Sequence, residues 1–344
     1  MSQLTLWLFA IADGVGSARR IAEFTTTHHA YRWIVGDLAI GHHARSEFRA
    51  AHGAAFDALF TDVLSHLMHR GLIDMAVMGQ DGTRIRAAAG APSFRSLGSL
   101  LECRAQAELH LKAVLAQGDD PELSKVQKAR RVSAAKDDQR RVEEAIAACK
   151  EQREQHPESV ARGSTTDAEA RVMKRADGGF RPAYNVQYGV VGDKMGGPRT
   201  IVGVRVTNIG SDLGSLVPMV AQRTGALPGA VVADTHHAGH EDIRARMACG
   251  VQAIVSPPRP RKGATGTRVD RSAPIAAWRA LMDREESKEL ERQRGGLSEF
   301  AKARQKGSQR VTQVLVRGAS KVFNVMLLGA LSANLLQHAA SVLG

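Results

Sequence analysis

Three carboxylates stand out by where they sit. Asp81 follows the mostly apolar run MAVMGQ at residues 75–80. Asp234 follows a second such run, GAVVA, at 229–233. Glu299 lies in GGLSEFAKARQKG, among small and apolar neighbours. Short apolar runs bounded by turn residues read as buried strands. A charge at the end of such a strand lies at the rim of a sheet, where metal and substrate sites are built. Burying a carboxylate alone is costly, and a cation shared with a second carboxylate offsets that cost. On a helix, Lys302 and Lys306 share a face with Glu299, at i+3 and i+7. One carboxylate flanked by two lysines suits a site that holds metal and phosphate together. Oxygen-only ligands point to Mg²⁺, with Mn²⁺ as a substitute.

Those residues need a scaffold. At 344 residues the chain has room for two domains, or one domain with a large insertion. Its hydrophobic fraction of 43% is ample for a packed core and argues against wholesale disorder. The formal net charge of +12 favours a polyanionic partner, nucleic acid first. Cys103, Cys149 and Cys249 have no paired spacing, so neither a disulfide framework nor a zinc knuckle is expected, and a reducing cytoplasm fits. The opening LTLWLFAIADGVGSA lacks the basic start of a signal peptide and reads as a core helix. No membrane span is expected, because Asn324, Gly329, Asn334 and Gln337 interrupt the apolar C-terminus.

Residues 1–73 read as a bundle of short helices with Arg19, Arg20, Arg32, Arg45 and Arg49 among them. The bundle is either a DNA-binding module that lays a helix along DNA or a helical cap with a solvated basic face. Residues 91–160 read as an antiparallel helical hairpin broken at GDDP. It is either a DNA contact through Lys125, Lys128, Arg130 and Arg131 or a solvated spacer. Residues 74–90 and 161–344 supply the rest: a strand over 75–89, a strand hairpin around KMGGP, a short helix, the strand ending at Asp234, a helix, a strand at VQAIVSPP, the basic loop PRPRKGATGTRVDRSAP, and two long helices at about 275–306 and 318–340. Without the hairpin, three strands that pair as a meander precede alternating helices and strands. That order describes an α/β, ribonuclease H-like mixed sheet with an N-terminal helical bundle and an inserted helical hairpin. In it the first and fourth strands are neighbours, so Asp81 and Asp234 meet at one edge.

Other residues invite attention. His236, His237 and His240 suggest zinc, but with no cysteine nearby they read better as surface or phosphate-contacting groups. Asp167, Asp177 and Asp212 fall in turn-like stretches and read as turns and N-caps. Arg317 and Gly318, with Lys321, mark either a helix start that meets DNA or the turn joining two helices.

The chain resembles bacterial insertion-sequence transposases of the DDE type, in particular the group numbered eleven-eighty-two. The stretches that carry the likeness are GVGSARRIAEF, HAYRWIVGDL, QDGTRIRAAAGAPSFR, STTDAEARVMKRADGGFRPAYNVQYGVV, VVADTHHAGHEDI, WRALMDREESKELERQRGGLSE and VRGASKVFNVMLLGALSANLLQH, which together cover nearly the whole chain in the family's order. The resemblance implies Asp81, Asp234 and Glu299 as catalytic, metal-holding residues, and Lys306 as the basic residue downstream of the glutamate. Against the family, the chain is expected to be shortened at its N-terminus, to carry Thr235, His236 and His237 where a small residue, Gly and Tyr are usual, and to have Gly295 and Gly296 in place of alanines. Each of those glycines weakens a helix by roughly 1 kcal/mol. The expected activity is cleavage of DNA at terminal inverted repeats and strand transfer into target DNA, by a homodimer in a synaptic complex, in the nucleoid-associated cytoplasm. Such cleavage needs an activated water, in-line attack on phosphorus and charge relief at the leaving oxygen, which two divalent ions roughly 3.5–4 Å apart supply. Lys302, Lys306, Arg317 and Lys321 are the expected phosphate contacts. Two alternatives stay open: a catalytically impaired, truncated DNA-binding remnant, and a ribonuclease H-like nuclease without strand transfer.

Overall fold

The computed structural model describes residues 2–343 apart from 118–122, 159, 176–177, 193–196, 211–214, 259–269 and 271. The GDDP break, Asp177, Asp212 and most of the basic loop 258–274 therefore lie outside the described residues. In chain order, five helices come first: α1 (Ser2–Ala12), α2 (Ala18–Thr27), α3 (His29–Val35), α4 (His42–Ala51) and α5 (Gly53–His69). Then follow β1 (Val77–Arg86), β2 (Phe94–Arg95), α6 (Leu97–Ala116), α7 (Lys125–Gln155), β3 (Gly163–Ser164), β4 (Arg171–Lys174), β5 (Phe180–Gly192) and β6 (Arg199–Thr207). The chain continues through α8 (Val217–Thr224), β7 (Ala230–Ala233), α9 (His240–Ala248), β8 (Gln252–Val255), α10 (Ala273–Met282), α11 (Glu285–Ala303) and α12 (Ala319–Leu343). Contacts divide it into two compact units, Met1–Ile85 with Asn185–Thr312 and Ser320–Gly344, and Arg86–Tyr184 with Gln313–Ala319.

In the first unit the strands lie in the order β6-β5-β1-β7-β8. β5 and β6 are antiparallel, whereas β1–β7 and β7–β8 are parallel. The fold is thus α/β with a mixed sheet, and the first core strand lies beside the fourth. β7 is AVVA and buried at every position, as a parallel strand covered on both faces must be. Val232, Ile254, Ile275, Trp278 and Leu297 join β7, β8, α10 and α11 in one apolar core.

Several expectations need correction. The strand carrying Asp81 does not end there; β1 runs on to Arg86, and only its pairing with β7 stops at Gln80↔Ala233. The long helix placed at 275–306 is two helices. Arg284 is extended (φ −72°, ψ 146°), and Glu285 and Glu286 open α11, where the positive end of the helix dipole favours acids. After Ala303 the chain widens into a π-helical turn, Arg304–Ser308. That changes the angular register, so the seven-residue spacing no longer puts Lys306 on the face of Glu299.

The C-terminal segment also differs. Ala319–Ser341 is long and apolar enough to cross a membrane, yet 56% of that window is buried inside the protein. The polar residues that interrupt it are internal clips. Asn334 Nδ2 donates to Ile201 O (2.8 Å) and its Oδ1 accepts from Ile201 N (2.9 Å). Asn324 donates to the Arg49 and Ala50 carbonyls, and His338 Nε2 meets Thr200 Oγ1 at 2.7 Å. A buried amide with its bonds made is a feature of a packed core.

Two of the five N-terminal arginines are structural. Arg45 is fully buried, donating to the Ile40 carbonyl and to Thr25 Oγ1. Arg49 is buried over the Trp7 ring (4.7 Å) and donates to Gly16 O (2.8 Å). Burial pushes the Arg49 guanidinium down to about 10. Arg20 and Arg32 are exposed but paired with Glu23 and Asp37.

In the second unit Leu100 near the start of α6 packs with Val142, Ala145, Ile146 and Cys149 near the end of α7, so the two helices run antiparallel. Ser124 and Gln127 form a reciprocal capping box at the start of α7. Asp167 is a buried turn residue, its backbone N–H held by Ser164 Oγ and its Oδ1 accepting from Tyr184 Oη (2.7 Å) and Gly318 N (3.2 Å). Burial pushes its carboxyl above the usual range despite those donors. Gly318 has φ +87°, and α12 starts immediately after it, so Arg317 lies in the connection that leads into that helix.

Candidate active site

The register of β1 against β7 makes Asp81 and Asp234 the next residues on neighbouring strands, beyond Gln80↔Ala233. Parallel neighbours lie about 4.8 Å apart, so the two acids sit side by side where the β1–β7 pairing ends. Gly79 brings the third element in. A Cβ built there would meet Leu297 Cβ at 2.7 Å and Ser298 N at 3.3 Å, so the bare glycine lets α11 lie directly on β1. Leu297, Ser298 and Ala301 form the packed face of α11, and Glu299 and Lys302 flank it.

Lys302 joins two of the acids. Its Nζ donates to Asp81 Oδ2 at 2.6 Å and to Glu299 Oε1 at 2.7 Å. The Asp81 side chain is 12% exposed and Glu299 67% exposed. Burial pulls the Lys302 ammonium down, but the bonds to Asp81 and Glu299 outweigh it and hold the amine above its ordinary value. Asp81 Oδ1 also accepts from the Gly82 N–H. Asp234 is engaged differently. Its Oδ1 accepts from His236 N (3.0 Å), and its Oδ2 lies 3.2 Å from His236 Nδ1. That closes the turn that starts the Thr235–His237 3-10 segment.

The three acids therefore share a neighbourhood, but they are not gathered on one point. Among the described residues no three His, Cys, Asp or Glu side chains group closely enough to hold a metal ion. The donor chemistry still suits a hard divalent cation, since Asp81 and Glu299 offer only oxygens and already converge on one positive charge.

The remaining candidates scatter. Lys306, in the π-helical turn, Arg317 and Lys321 are exposed. The histidines form no cluster: His236 turns to Asp234, His240 pairs with Asp270 at 3.2 Å, and His237 is buried beside Gln80 at 3.5 Å. The surface reading of His237 is thereby corrected; Gln80, pointing inward from β1, gives it a core partner.

Sequence reasoning passed over Arg199, Phe300 and Arg304. With Gly295, Gly296 and Glu299 they line an open cavity of about 560 Å³ beside α11. The only signal for it was the Gly-Gly pair in mid-helix, which costs stability unless something needs the bare backbone. No family model, curated protein or solved structure matches the chain.

Proposed function

We propose that this chain is a metal-dependent DNA transposase of the DDE type, built on a ribonuclease H-like core. The observation that carries the reading is the convergence of Asp81 and Glu299 on a single cation, one residue beyond the strand pairing that puts Asp234 next door. The strand order β6-β5-β1-β7-β8, a three-strand meander followed by two parallel strands, supports the ribonuclease H-like part. The net charge of +12 supports a DNA partner.

In this reading Asp81 and Glu299 would hold a divalent ion, Mg²⁺ or Mn²⁺, once Lys302 moves off them, with Asp234 as the third acid. Bound there, divalent ions supply an activated water and charge relief at the leaving oxygen. The chain's own residues do the rest. Lys302, released from Asp81, carries its charge to a phosphate oxygen; Lys306, Arg317 and Lys321 hold further backbone phosphates. The element's inverted repeats and target DNA are the substrates, a homodimer is the synaptic form, and the nucleoid-associated cytoplasm is the setting.

A second reading has its own support. The lack of a three-ligand group among the described residues favours a DNA-binding remnant that no longer cleaves. Incubation with a duplex carrying the element end, with and without Mg²⁺, separates them. Cleavage that needs Mg²⁺ and disappears in Asp81→Ala supports the transposase; binding without any cleavage supports the remnant. Cleavage of DNA lacking terminal repeats, with no strand transfer, points to a plain nuclease.

A further inference from the structure

The cavity beside α11 has features that the three carboxylates do not explain. Arg199, the first residue of β6, lies across the helix, its Nη2 3.3 Å from a Cβ built at Gly296. Arg304 lies with its guanidinium 5.6 Å from the centroid of the Phe300 ring and donates to Gln337 Oε1 (3.4 Å). Neither arginine has a carboxylate partner among the described residues. Glu299, on the same wall, is already bonded to Lys302. A second hollow of about 250 Å³ continues past Gly296 and Arg199 to Arg292 and Gln293. The result is a groove along α11 with guanidinium groups at its sides, one aromatic face, and a wall of bare helix at Gly295 and Gly296.

We propose that this groove binds an unpaired strand of nucleic acid, with Arg199 and Arg304 on successive phosphates and a base against Phe300. Two guanidiniums with no carboxylate partner among the described residues suit phosphate oxygens, which they bond in forked pairs. An aromatic ring beside them suits a base that is free to stack, and a base inside a duplex is not. The cavity is of the size that admits a nucleotide-scale ligand rather than a double helix. The glycines matter because a side chain at 296 would push Arg199 away and one at 295 would stand in the groove. Because Glu299 lines the same cavity, the strand held there runs up to the carboxylates; the inference rests on the proposed function in naming that strand as the one to be cut.

The test needs no metal and no cleavage. Anisotropy of a short fluorescein-labelled single-stranded oligodeoxynucleotide is measured in EDTA against salt concentration, with the duplex of the same sequence alongside. The wild type should bind the single strand, with a log–log salt slope that falls by about 0.7 for each of Arg199→Ala and Arg304→Ala. Phe300→Ala should weaken binding about fivefold or more. Gly295→Glu should abolish it without lowering the melting temperature, since a Cβ at Gly295 meets nothing within 4 Å outside its own helix and losing the glycine favours that helix. Equal affinities and slopes across wild type and variants overturn the groove, and if Mg²⁺-dependent cleavage persists the transposase reading stands without it. Loss of single-strand binding in the groove variants of a protein that never cleaves DNA keeps the groove and removes the transposase. Failure of the wild type to bind any DNA overturns both.

Discussion

Replacing Lys302 with Met removes the ammonium while keeping most of the side chain's bulk. The Nζ–Oδ2 contact of 2.6 Å corresponds to an attraction of about 6 kcal/mol at an effective dielectric of roughly 20. Most of that is offset by the cost of drying both groups. The second contact, to the 67% exposed Glu299, adds little because solvent screens it. What the substitution leaves behind is a carboxylate only 12% exposed, with the Gly82 N–H as its remaining donor among the described residues. Stranding such a group costs about 1–3 kcal/mol. Without metal, Lys302→Met should therefore melt lower than the wild type. With Mg²⁺ the gap should close, because in the variant a divalent ion no longer competes with a tethered ammonium. An ion at about a hundred times its dissociation constant restores roughly 2.7 kcal/mol, about the size of the loss. Differential scanning fluorimetry over a Mg²⁺ series reads both effects. A variant as stable as the wild type in EDTA, or equal Mg²⁺ shifts in the two proteins, would refute the idea that Lys302 occupies a cation position.

Other outcomes follow from the same geometry. Gly79→Ala, whose new Cβ would sit 2.7 Å from Leu297 Cβ, should destabilise by about 1–3 kcal/mol through overpacking and prise α11 away from Asp81; chemical denaturation reads the first and loss of the Mg²⁺ response the second. Arg45→Met should lower stability without changing the salt slope of DNA binding, because its guanidinium faces Ile40 and Thr25 rather than solvent. His338 is held below its ordinary value of 6.5 by burial. The unfolded chain therefore takes up this proton first as pH falls, so stability is lost from about 6.5 downward toward the folded value, and His338→Gln should flatten that part of the stability–pH curve. Asp167 is pushed the other way by burial, so the charge it carries above about 3.8 works against folding. Asp167→Asn should raise the melting temperature at neutral pH relative to its effect at pH 3.

Much of this scaffold was legible because its signals are local. AVVA with no polar position announces a doubly covered parallel strand, and Ser124 with Gln127 announces the start of α7. The neighbouring placement of the first and fourth strands was expected from the ribonuclease H-like architecture that the element order suggested. What escaped depended on contacts distant in sequence. Nothing near Arg45 or Arg49 says that they fold inward onto Thr25, Gly16 and Trp7. The polar breaks in the last helix looked like departures from apolar character, yet Asn334 and His338 are bonded to β6, more than a hundred residues away. The site shows the same limit. The i+3 spacing correctly put Lys302 beside Glu299, but its second bond, to Asp81, spans 221 residues. The widened turn that shifts Lys306 has no motif to mark it.

The central claim is that Asp81 and Glu299 make a place for a divalent cation. Crystals soaked in Mn²⁺ and measured at its absorption edge address it most directly. The account predicts an anomalous peak between Asp81 Oδ2 and Glu299 Oε1, with the Lys302 amine moved off both. Clean density there, with Lys302 still bonded to both acids at saturating Mn²⁺, would contradict it.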